Sequence, residues 1–168
     1  MTERDIIIDQ LKFQYEGLFN LEELYILITS WFHEKGYDFY ERMNQEQITS
    51  SGKQIRIILE PWKGITEYYK LCLRLKIHLI DISEVDIEHN GETLNLNQGT
   101  IRIMIDAYII SDWRGKWEKK PLHWFLSVLF NKFIFNQHYN KAKNWIEQDV
   151  EDLYHQIKSF LNVFKYKS

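Results

Sequence analysis

Apolar and polar residues alternate without a break from Tyr69 to Leu79. Tyr69, Leu71, Leu73, Leu75, Ile77 and Leu79 fall on one side, and Lys70, Cys72, Arg74, Lys76 and His78 on the other. Successive side chains of a strand point to opposite faces, so the pattern predicts a long strand with one face on a core. Wound as a helix, the same residues would scatter charge around the whole surface. Lys53 to Glu60 alternates in the same way through Ile55, Ile57 and Leu59, and Thr100 to Asp112 through Ile101, Ile103, Ile105, Ala107 and Ile109. Ile6 to Phe19 supplies a first strand. Its run Ile6-Ile7-Ile8 interrupts the alternation and predicts a buried or bulged start, and Gly17 weakens its end. Tyr37 to Ile48 reads as a polar edge strand.

Turn residues divide these runs. Ser50-Ser51-Gly52 and Asn90-Gly91 read as turns, the latter as a type I′ hairpin because both positions need positive φ. Asp81 to Glu84 and Asn97-Gln98-Gly99 are expected to be turns as well, with Val85, Ile87, Leu94 and Leu96 on separate short strands. Pro61-Trp62-Lys63-Gly64 is expected to break the strand before it. The outer side of the last strand is less polar than a solvent face, since Met104, Tyr108 and Ile110 sit beside Arg102 and Asp106. Such a face is either covered or a contact surface.

Two segments have helical period instead. Asn20 can cap a first turn, with Glu23 placed to complete a capping box, and Leu24, Leu27, Ile28 and Trp31 form one stripe. Gly36 stands where a left-handed C-terminal cap is expected. Near the end of the sequence Ile146, Val150, Leu153, Ile157, Phe160, Leu161 and Phe164 mark one face of a long helix, with Trp145 at its edge. Between them Pro121 suits a helix first turn. Leu122 to Phe135 is apolar almost all round and is expected to be buried between the sheet and the last helix, with a bend near Asn136 to His138.

The expected fold is α+β: a curved antiparallel sheet of about six or seven strands with an N-terminal helix and a long C-terminal helix packed on it, in a single domain over 1–168. This order of elements resembles the helix-grip fold of the START and Bet v 1 superfamily. The resemblance implies a cavity between sheet and C-terminal helix, and no catalytic residue carries over. The competing architecture is a ferredoxin-like αβ sandwich with added strands. The blocks Tyr15-Glu16-Gly17-Leu18-Phe19, Glu34-Lys35-Gly36-Tyr37-Asp38, Glu60-Pro61-Trp62-Lys63 and Trp117-Glu118-Lys119-Lys120-Pro121 resemble a group of small archaeal proteins of unknown function. That resemblance implies an archaeal, cytoplasmic setting and no activity.

Composition narrows the field. The chain has 168 residues, 45% of them hydrophobic and 15% aromatic, with a net charge of −3. A surface devoted wholly to nucleic acid is not expected at that charge. One cysteine excludes an internal disulfide and points to a reducing compartment. The first residues lack the pattern of a secretory signal, and no apolar run spans a bilayer, so a cytoplasmic location is expected.

Candidate chemistry is sparse. The six histidines show no metal-ligand spacing, and neither a metal nor a cofactor is expected. Cys72 lies among Lys70, Arg74 and Lys76, which would lower its pKa, although an unreactive thiol is the plainer reading. Glu84, Asp86 and Glu88, and Asp149, Glu151 and Asp152, read as solvent faces because calcium loops need ligands at alternating loop positions. No catalytic residue is assigned, and the enzyme reading has little behind it.

The charge distribution says more. Between Trp113 and Lys143 lie seven cations and one acid, a net of +6 against −9 for the remainder. Trp113, Arg114, Lys116, Trp117, Lys119 and Lys120 interleave rings with cations, a pattern suited to a protein partner, to phosphate or to RNA. Three functions follow as expectations. The first is a non-enzymatic binding module holding an apolar small molecule, with a cavity lined by Trp31, Leu73, Leu75, Ile103, Ile105 and Trp145. The second is a protein-, RNA- or ribonucleoprotein-associated adaptor using 113–120 and the exposed sheet face. The third is peripheral membrane attachment, or a homodimer surface, through Leu122 to Phe135.

Overall fold

The computed structural model describes residues 3–111, 113, 122, 125, 126, 129 and 135–165. Strands β1 (Glu3–Phe19), β2 (Asp38–Thr49), β3 (Gly52–Gly64), β4 (Tyr69–His89) and β5 (Glu92–Ser111) form one antiparallel sheet in the order β1-β5-β4-β3-β2. Helix α1 (Leu21–Glu34) follows β1, and α2 (Phe135–Lys165) closes the described chain. The fold is α+β, with five strands rather than six or seven.

The lower strand count has a local cause: two of the expected turns are one bulge. Ile80 pairs with Thr100 and Ser83 with Gln98, so Asp81 and Ile82 together oppose Gly99. A bulge bends a strand and raises its twist without ending it. Asp81 takes a φ of 54°, and a Cβ on Gly99 would lie 2.5 Å from Ile82 Cδ1 and 2.8 Å from the Ile80 carbonyl oxygen. The line continues across the sheet. Gly17 faces Gly99, and Lys53 faces Ile82 beside Gly52, whose own Cβ would meet the Asp81 backbone at 2.9 Å. A crease therefore crosses β1, β5, β4 and β3. The Asp81 carboxylate accepts from Ser51 Oγ at 2.8 Å and Gln54 Nε2 at 2.5 Å, fastening the β2–β3 turn to it.

Other expectations meet the structure more directly. Asn90 and Gly91 make the β4–β5 turn with φ of 52° and 81°. The start of β1 is bulged twice, between Ile6 and Ile8 and between Ile8 and Leu11. Pro61 does not end β3; it pairs with Phe39 near the start of β2, and the strand runs on to Gly64. Asn136 to His138 lie inside α2, so the expected bend there is absent.

Helix α1 is closed at both ends. Asn20 Oδ1 accepts the Glu23 amide at 3.1 Å, and Asn97 Oδ1 on β5 accepts the Leu21 amide at 3.0 Å. At the other end Gly36 has a φ of 77°; its amide bonds to the His33 carbonyl at 3.2 Å and the Tyr37 amide to that of Phe32 at 2.8 Å. This is the Schellman arrangement that Gly36 predicts.

Both helices lie on one face of the sheet, α2 over β1, β5 and β4, and α1 beside α2 and against β2. The inward residues of β3, β4 and β5 join Leu24, Ile28, Trp31 and Phe32 of α1 and Ile146, Val150, Leu153, Ile157 and Leu161 of α2 in one core. No described helix is long and apolar enough to cross a membrane.

Candidate functional site

The polar buttress under α2 is one place where chemistry-bearing groups meet. Asp149 is buried and accepts a hydrogen bond from Tyr37 Oη at 2.8 Å, and Asp152 accepts from Trp31 Nε1 at 2.8 Å. Burial raises the pKa of both members of the Tyr37–Asp149 pair. Lys63 Nζ donates to the Lys35 carbonyl at 2.7 Å and stands 4.6 Å from the Trp145 ring centre. Asp149 is thus no solvent-face residue, because it lies on the inward stripe of α2, three residues after Ile146. These bonds tie α2 to α1 and to the chain just after it, which makes the cluster a helix anchor.

The residues proposed to line an apolar cavity divide in two. Trp31, Leu73, Leu75, Ile103 and Ile105 are buried together in the core between sheet and helices. Trp145 stands on the solvent side of α2 at 44% exposure, under Lys63. Of the six, Ile103 alone borders an apolar-lined cleft that opens on the opposite face of the sheet.

Of the basic-aromatic segment only Trp113 is described; Arg114, Lys116, Trp117, Lys119 and Lys120 lie outside the described residues. Trp113 donates from Nε1 to the Thr66 carbonyl at 3.1 Å and packs 5.9 Å from Trp62, with Lys70 Nζ 5.7 Å from its ring centre. Trp62 and Lys70 point away from the helices, so the chain leaves β5 at a corner of the open face. Within 122–135 the described side chains are Leu122, Phe125, Leu126 and Leu129, all helical and all exposed, contrary to the burial expected of them.

Strand register maps that open face. One row runs Gln45, Arg56, His78, Arg102 and Gln14 across β2, β3, β4, β5 and β1; the next runs Met43, Ile58, Lys76, Met104 and Lys12. All of these residues but Gln45 border a cleft of about 630 Å³. Met43, Ile58 and Met104 are half-buried and form its apolar floor, while Lys12, Arg56, Lys76 and Arg102 are exposed around it. None of the four cations has a carboxylate partner among the described residues. Burial and the two flanking arginines lower the His78 pKa, so the centre of the cleft is positive even with a neutral imidazole. The following row is different in kind. Glu60 there binds Arg42 at 2.9 Å and Arg74 at 3.0 Å, and Asp106 accepts the Gln10 amide at 2.8 Å.

Sequence reasoning noted the apolar content of this face but missed the four cations as a group. The available signal was an outward cation on each of β1, β3, β4 and β5, three to five residues from the crease.

Cys72 is buried on this same face beside Tyr108. Burial outweighs the attraction of Lys70 and Arg4 and pushes its thiol up to about 11, in line with an unreactive thiol. Among the described residues no three His, Cys, Asp or Glu side chains are grouped to hold a metal ion. No family model, curated protein or solved structure matches the chain.

Proposed function

We propose that the protein is a non-enzymatic binding module whose working surface is the open face of the sheet, and that its ligand is an anion. The observation that supports this is the pair of adjacent rows holding four cations, with no described carboxylate among them, around an apolar floor. Like charges held together without counter-charges repel one another in the free protein, and an anion seated between them relieves that repulsion. The surrounding groups offer no nucleophile with a positioned base, so binding accounts for the arrangement better than catalysis does. The helix-grip architecture belongs to the same proposal, supported by the lie of α2 across β1, β5 and β4.

Native mass spectrometry of the purified protein tests the reading. A co-purifying anion, released on mild denaturation and lost from a folded Arg56→Glu/Arg102→Glu variant, is the expected result. Retention of the same species by that variant would place the binding elsewhere.

A second reading is favoured by Leu122, Phe125, Leu126 and Leu129, which share one helical face and are all exposed. With Lys116, Lys119, Lys120 and Lys132 near them in sequence, this stripe suits an anionic membrane surface. Co-sedimentation with anionic vesicles at low salt, abolished by Phe125→Ser/Leu129→Ser, is the expected outcome.

A further inference from the structure

We infer that the anion of the open-face cleft is an aliphatic chain ending in a carboxylate, with Arg56 and Arg102 on the head and Met43, Ile58 and Met104 along the chain. The inference rests on the reading of that face as an anion site, and adds the chemical class of the ligand.

Two properties of the cleft select the class. The first is segregation. Arg56 and Arg102 occupy one cross-sheet row and flank His78, about 10 Å apart across two strand spacings, a span that two arginine side chains close easily around one small anion. Each guanidinium matches a carboxylate bidentately. The apolar side chains occupy the neighbouring row, about 7 Å along the strands. Methionine adapts to a flexible chain, and the stems of Lys76 and Lys12 extend the apolar strip past Ile58 and Met104. The strip crosses five strands, about 19 Å, and the volume of about 630 Å³ suits a small molecule.

The second property is what the cleft lacks. Phe13 is the one Phe, Tyr or Trp residue bordering it, and its ring is turned to the other side of the sheet, edge-on to Tyr154 of α2. A nucleobase would find only the single His78 imidazole to stack on there. A polyanion continuing toward the rings of Tyr108, Trp62 and Trp113 would have to pass over Glu60 and Asp106. A short anionic head with an apolar tail meets neither obstacle.

Calorimetric titration of the full chain with dodecanoate below its aggregation concentration tests the inference, beside butyrate, dodecanol, inorganic phosphate and anionic phospholipid vesicles. Dodecanoate is expected to bind, with butyrate and dodecanol each weaker by about tenfold or more. Arg56→Gln and Arg102→Gln, both at exposed positions, are each expected to weaken dodecanoate by about tenfold. The imidazole of His78, followed by NMR, should titrate at higher pH once the carboxylate sits between its two arginines. Butyrate or phosphate binding as well as dodecanoate would leave the anion site standing and refute the acyl chain. Binding of vesicles but not of monomeric dodecanoate would refute it in favour of a membrane surface. Silence toward every anion would overturn the anion site itself.

Discussion

Replacing Gly99 by alanine puts the crease to the test. Its φ lies outside the left-handed region, so alanine has no backbone objection and the cost is purely one of space. The new methyl group would lie 2.5 Å from Ile82 Cδ1, which can swing away, and 2.8 and 3.0 Å from the carbonyl oxygens of Ile80 and Asp81, which cannot. Those carbonyls belong to the bulge and move only if β4 moves. Overpacking of this kind costs about 1–3 kcal/mol, and the stiffer unfolded chain returns about 0.4–1 kcal/mol. A net loss of about 1–2 kcal/mol is expected, or about 2–8 °C in Tm for a chain of this size. Urea unfolding followed by far-UV circular dichroism measures it. Ile82→Val in the same background removes the mobile contact alone and should restore only a minor part. A Gly99→Ala protein as stable as the parent would show that the two strands are not locked at this line.

Three further outcomes are expected. The buried Asp149 holds its proton to higher pH in the folded chain than in the unfolded one, so it stabilises at acid pH, and that contribution is lost as pH rises through its folded pKa. Asp149→Asn, which keeps an acceptor for Tyr37, should flatten this part of the stability profile. Tyr37→Phe strips the carboxylate of its donor and should cost about 1–3 kcal/mol at neutral pH; both are read from urea midpoints between acid and neutral buffers. Cys72, held up at about 11, should resist a thiol reagent at pH 8 in the folded protein and react at an ordinary rate in urea. Fast modification of the folded chain would contradict its burial.

Much of the fold was legible because it is written locally. Asn20, Gly36 and Asn90-Gly91 each carry a conformational or capping preference that needs no distant partner, and each stands where it was expected. The stripe of α2 and the alternation of β3, β4 and β5 are local in the same sense. The bulge was not legible, since Asp81 and Gly99 suit a turn and a bulge equally well. What decides between them is the pairing of β4 with β5, joined by a turn eight or nine residues away. Asp149 looked like surface because it shares an acidic row with Glu151 and Asp152, yet its helical phase put it under Tyr37. The cations of the open face lie at 12, 56, 76 and 102, and only the finished strand order sets them side by side.

The crease also reconciles two lengths. Strand β4 has 21 residues and at about 3.4 Å each would extend about 70 Å, whereas α2, with 31 residues at about 1.5 Å, reaches only about 46 Å. A flat sheet of that span would overhang its helix and leave the far end of the β4–β5 hairpin bare. Bent at Gly99, the hairpin comes back over the end of α2, where Val85 and Ile87 share a cleft with Phe164 and Leu96 is buried. A single helix can therefore serve a sheet half again its own length.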